Sequence, residues 1–170
     1  MTRTPVNRTA ARLAFALALA CSFPAIAEDD ISKVNGSIET SAGQRYGDLE
    51  TVNGAVRVAE NVQARDASTV NGSIHVESGA RVDSLETVNG DITVGIGSHV
   101  RGGITVERPQ SWFQSAPKRR PRVVIGPDAE VSGPMEFRRE VSLYVHRTAR
   151  IGQVTGAEPV RFETETAPQD

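Results

Sequence analysis

Apolar and polar residues alternate in short bursts along this chain. The pairs Ile38/Thr40, Val56/Val58, Ile74/Val76 and Ile92/Val94 flank Glu39, Arg57, His75 and Thr93. A period of two marks a strand with one buried face, the pairs inward and the flanked residues outward. Each pair follows a copy of Val-Asn-Gly beginning at Val34, Val52, Val70 or Val88, a spacing of eighteen residues every time. A unit this short cannot bury its own apolar face, so neighbouring copies must stack. The predicted fold class is therefore all-β: a single-stranded parallel β-helix, a solenoid with 18-residue coils.

A finer period of six runs inside the eighteen, because Val52, Val58, Val70, Val76, Val82, Val88, Val94, Val100 and Val106 fall on one phase. It predicts three short faces per coil, with small residues such as Ala80 and Ser98 at a crowded corner. Asn-Gly ahead of each strand supplies the positive-φ chemistry of a tight corner. Asn35, Asn53, Asn71 and Asn89 then stack at roughly 4.8 Å, the ordinary strand spacing, and form an amide ladder. After a break the pattern resumes over residues 125–131 and 145–152, with Val141, Leu143 and Val145 as a further alternating strand. About six coils are expected over residues 28–158, interrupted by an insertion at 107–122. Residues 159–170, rich in Glu, Thr and Pro, read as a disordered tail.

The N-terminus changes the picture of where the rod works. Arg3, Arg8 and Arg12 precede an apolar run from Leu13 to Cys21, and Ala25-Ile26-Ala27 stands directly before Glu28-Asp29-Asp30. This is the layout of a secretory signal peptide over residues 1–27, cleaved after Ala27, and it implies a periplasmic or secreted protein. The rival reading is an outer-membrane lipoprotein anchored through Cys21, whose preceding Ala18-Leu19-Ala20 fits a lipidation site poorly. No stretch reaches the roughly 20 apolar residues of a spanning helix, so no transmembrane span is expected. Residues 28–107 hold thirteen acids and six bases, and residues 108–170 eight acids and ten bases. That asymmetry fits ordinary solvated faces better than it fits steering of head-to-tail association, the other reading.

The insertion carries the candidate chemistry. It holds the single tryptophan, Trp112, beside Phe113, followed by Lys118, Arg119, Arg120 and Arg122 among prolines. Aromatics with clustered guanidiniums suit binding, stacking on a sugar or entering a membrane interface while the bases pair with phosphate or carboxylate. The alternative is that Trp112 and Phe113 fold back on the rod while the bases are solvated. An acidic chain without a recognised nucleic-acid module argues against nucleic acid as a partner. His75, His99 and His146 occupy different coils and read as solvent-facing strand or corner residues. Asp48 and Asp66 stack, but Ser84 and Gly102 follow them, a poor set for calcium, which takes six or more oxygens. No catalytic, cofactor or metal residues are assigned, and no cofactor is expected.

The runs Val88-Asn89-Gly90-Asp91-Ile92-Thr93-Val94 and Ile125-Gly126-Pro127-Asp128-Ala129-Glu130-Val131-Ser132-Gly133 resemble the coils of bactofilins, polymer-forming bacterial cytoskeletal proteins, and those of hexapeptide-repeat proteins. The first resemblance implies a right-handed β-helix that polymerises end to end without nucleotide. The second implies a left-handed trimeric acyltransferase. The expected function is a non-enzymatic, exported structural or adhesive protein of the bacterial envelope, its partner itself through the coil ends. The alternatives are a binding module for anionic envelope polysaccharide or lipid through the insertion, and a hexapeptide-type acyltransferase.

Overall fold

In the computed structural model, the described residues are 28–109, 119–164 and 166–168. They form a parallel β-solenoid of about seven turns, one more than the sequence suggests, with no helix among them. One sheet stacks β1 (Asp29–Asn35), β3 (Tyr46–Asn53), β5 (Gln63–Asn71), β7 (Arg81–Thr87) and β9 (His99–Val106). Beyond β9 the long strand splits, first into β11 (Glu130–Val131) and β12 (Met135–Phe137), then into β14 (Arg150–Ile151) and β15 (Val154–Thr155). The other sheet stacks β2 (Ile38–Glu39), β4 (Val56–Val58), β6 (Ile74–Val76), β8 (Ile92–Val94), β10 (Arg122–Ile125), β13 (Ser142–His146) and β16 (Pro159–Phe162). β16 pairs with β13 from Leu143↔Pro159 to His146↔Phe162, so the rod takes in four residues that composition alone assigns to the tail.

Each long strand bends, and the bend explains the three faces. In β5, Arg65 and Asp66 both point outward between buried Ala64 and buried Ala67, so the alternation skips and the strand turns a corner. Over the fourth turn the inward pairs are Ala80/Val82, Leu85/Thr87 and Ile92/Val94, all buried. The corners between them differ in length: Asp83-Ser84, then Val88-Asn89-Gly90-Asp91, then Gly95-Ile96-Gly97. Unequal corners correct the single phase of six. The valine of each Val-Asn-Gly lies in the corner, with Val34 67%, Val52 36% and Val70 39% exposed, and in the second to fourth copies the threonine before it takes the inward place.

Thr51, Thr69 and Thr87 are buried and solve a polar problem there. Their hydroxyls donate to the carbonyls of Gly36, Gly54 and Gly72 in the preceding turn, at 3.0, 2.9 and 3.4 Å. A corner carbonyl near the core is thus satisfied by a side chain whose methyl remains apolar. The glycines of the motif answer a second constraint. Of the four only Gly36 has positive φ, and a Cβ on Gly54, Gly72 or Gly90 would overlap the carbonyl oxygen of the glycine one turn below. Close approach, not handedness, fixes those three positions. Left-handed backbone belongs to another corner, where Gly43, Asn61, Gly79, Gly97 and Asp128 all have φ between 53° and 71°.

Apolar files run up the axis in register. Ile38, Val56, Ile74, Ile92, Val123 and Leu143 form one, and Leu49, Ala67, Leu85, Ile104 and Met135 another. Both are buried throughout. A cation stands at each end of the core. Lys33, in register with Thr51, donates to Ser37 O at 2.8 Å, and Arg161, in register with Val145, donates to His146 O and Ala149 O at 3.2 and 3.3 Å.

Candidate functional site

The root of the insertion is where the regular corner fails. Val106 pairs with Thr87, and the chain rejoins the rod with Val123 beside Ile92, so the fifth Val-Asn-Gly corner is replaced by residues 107–121. Trp112, Phe113 and Lys118 lie outside the described residues. The other predicted bases are within them and are turned onto the rod. Arg119 Nη2 meets Asp91 Oδ2 at 2.8 Å, and the same carboxylate accepts the Arg122 backbone N–H at 2.8 Å through Oδ1. Arg120 pairs with Glu140 at 3.1 Å. The Arg122 guanidinium lies 4.8 Å from the centre of the Tyr144 ring and donates to the Pro168 carbonyl. A cation over an aromatic face is an attractive arrangement in its own right.

The asparagine file ends at this root. Asn53 donates to Asn35 at 3.1 Å, Asn71 to Asn53 at 3.0 Å and Asn89 to Asn71 at 3.1 Å, each from Nδ2 to Oδ1. Where a fifth asparagine would stand, Arg139 intervenes, its Nη1 donating to Asn89 Oδ1 at 3.0 Å and to Val88 O at 3.1 Å. Arg139 was missed in the sequence because fifty residues separate it from Asn89. The signal that points to it is indirect: a ladder of amides leaves its last carbonyl oxygen without a donor, and the missing fifth copy demands a substitute.

Asn89, Gly90, Asp91, Arg119, Arg120, Pro121 and Arg139 enclose a cleft of about 130 Å³. Three guanidiniums line it against one carboxylate. Next to Arg139 in the chain, Arg138 pairs with Glu107 at 2.8 Å.

The structure keeps the three histidines apart, on β6, β9 and β13. His75 stands in the outward file between Arg57 and Thr93, and His99 Nδ1 lies 3.8 Å from a Glu130 oxygen. His146 departs from the expectation of a solvent-facing residue. It is buried, with its ring edge-on to Phe162 at 5.2 Å, and Nδ1 accepts the Thr148 backbone N–H at 3.2 Å. That acceptor role places the proton of the neutral ring on Nε2. Packing of the last turn accounts for its burial, since β16 brings Phe162 over it.

The stacked acids are also committed to the rod. Arg65 reaches Asp30 and Asp48 at 3.1 and 3.0 Å, and Ser84 donates to Asp66. The Arg65 guanidinium is raised above its ordinary value, first by its hydrogen bond to Asp48 and then by the Asp48 charge. Among the described residues no three His, Cys, Asp or Glu side chains group to hold a metal ion, and no helix is long and apolar enough to cross a membrane. Comparison with protein-family models, curated proteins and solved structures returned no match.

Proposed function

We propose that this protein is an exported, non-enzymatic structural rod of the bacterial envelope that associates through its first turn. The observation that carries the reading is the outer edge of β1, along which no strand pairs among the described residues. It is the terminal strand of its sheet, seven residues long, with no proline. Gly36, Ile38 and Thr40 donate their N–H groups to the second turn. By alternation, Lys33 and Asn35 direct theirs to the open side. An unpaired row of backbone donors and acceptors is a template for another strand.

The other end is blunted. β14 and β15 are two residues each, and β16 begins with Pro159, which has no N–H to offer. Charge adds direction: Glu28, Asp29, Asp30 and Glu39 outnumber Lys33 in the first turn, and Arg147, Arg150 and Arg161 outnumber Glu158 and Glu163 in the last. The likeness of the coils to those of polymer-forming bactofilins fits such an assembly.

The test is sedimentation and electron microscopy of residues 28–170 over a range of concentrations, with Lys33→Pro as the comparison. The original chain is expected to associate as concentration rises. Lys33→Pro, which removes an outward N–H, is expected to stay monomeric with an unchanged far-ultraviolet spectrum. Strictly monomeric behaviour of the original chain at every concentration defeats the proposal.

A further inference from the structure

We propose that the cleft at the root of the insertion is an oxyanion site that takes the phosphate group of a sugar or a lipid headgroup, independently of how the rod's ends behave. Arg139 is the centre of the argument. Its two bonds go to neutral acceptors, Val88 O and Asn89 Oδ1, both through Nη1. A guanidinium carries five N–H donors, so the Nη2 and Nε edge keeps its charge and its donors for another group. Among the described residues no carboxylate pairs with it. It is half-buried, which strengthens whatever ion pair it forms.

Arg119 and Arg120 enter the same cleft from the segment that leads into β10. Their present partners are weak competitors. Arg119 is 73% exposed in its pair with Asp91 and Arg120 66% exposed in its pair with Glu140. Exposed pairs of this kind contribute little, so either guanidinium can swing to an incoming anion. Gly90 leaves one wall without a side chain, and Pro121 leaves another without an N–H. Three arginines arriving from two parts of the chain suit a tetrahedral anion with several acceptor oxygens better than a planar carboxylate. The net positive lining also favours a group of more than one negative charge.

The experiment is an amide NMR titration of residues 28–170 with inorganic phosphate and with glucose 1-phosphate, alongside co-sedimentation with phosphatidylglycerol vesicles. Saturable shifts at Gly90, Asp91 and Arg122 are expected with inorganic phosphate. Arg139→Gln is expected to weaken binding by about tenfold or more. Because Arg139 also ends the asparagine file, Arg120→Gln serves as a second variant at an exposed position and is expected to weaken binding severalfold in a folded rod. Arg81→Gln, outside the cleft, is expected to change nothing. Binding of the sugar phosphate without the vesicles assigns the glycan, and the converse assigns the lipid. No saturable shift with any of the three probes overturns the site, as does binding that survives both variants or falls equally with Arg81→Gln.

Discussion

The first four turns and the last three solve the same packing problem by different means. Both run the same pair of sheets, yet they diverge at the corner after the bent strand. In the first four, that corner is Val-Asn-Gly plus one residue, with amide bonded to amide from turn to turn. In the fifth it is the insertion, and in the sixth residues 138–142. A side-chain ladder demands identity at every rung, since each amide must present a donor upward and an acceptor downward. Once the ladder stops, identity is no longer required. Larger apolar groups, Met135, Phe137 and Phe162, fill the core instead. Arginines bonded to carbonyls, Arg139 at Val88 and Arg161 at His146, take over the polar duty.

A single file exposes the contrast. Thr51, Thr69, Thr87, Val106 and Phe137 stand in register along it, threonine while the corner is regular and apolar afterwards. The largest effect is expected at its far end. Phe137→Ala empties a nearly fully buried ring site and should cost about 3–5 kcal/mol in urea unfolding. At Thr69, the change to Val keeps the shape and strands the Gly54 carbonyl, a loss of about 1–3 kcal/mol. If Thr69→Val instead proves neutral, the threonine is in place only as a small apolar filler and the distinction between the halves collapses.

The repeat made the rod and its asparagine file legible, because four identical copies fix the rung positions directly. What stayed hidden is physical in each case. A period of six assigns equal corners, and it cannot see that this chain uses corners of two, four and three residues. That inequality turns Val52 and Val70 outward and Thr51 and Thr69 inward. The seventh turn was missed because Gly152, Gly156 and Pro159 break its strands into pieces too short to show alternation. At the candidate site, the bases of the insertion were visible as composition. Their engagement with Asp91, Glu140 and Tyr144 was not, because those contacts bridge 20 to 28 residues with no local pattern.

The ladder itself can be probed by reversing one donor. Asn71→Asp keeps the oxygen that accepts from Asn89 but sets a carboxylate against Asn53 Oδ1, an acceptor facing an acceptor. One exposed hydrogen bond is lost, a change of about 0.5–1.5 kcal/mol at neutral pH. Protonation restores a donor, so the folded carboxyl titrates above its unfolded counterpart. The variant therefore recovers stability below the unfolded value and loses it as pH rises through the folded one. An unfolding midpoint that falls on acidification, relative to the original chain, contradicts this.

The smallest expected effect lies in the regular half, where Arg65 ties the first turn to the third through Asp30 and Asp48. These are exposed ion pairs, and solvent screens them. Arg65→Gln should therefore leave the global unfolding midpoint unmoved. Its consequence is local. Among the described residues β1 has a neighbour on one side only, so its opening depends less on the rest of the rod than that of β7 between β5 and β9. Loss of a cross-turn clamp should speed amide exchange in β1 at low salt while β7 exchanges as before. Raising the ionic strength should erase the difference, because the original chain then loses the same interaction. Slowed exchange in β1, or a change shared equally by β1 and β7, would show that Arg65 acts through the whole stack and not on the open edge.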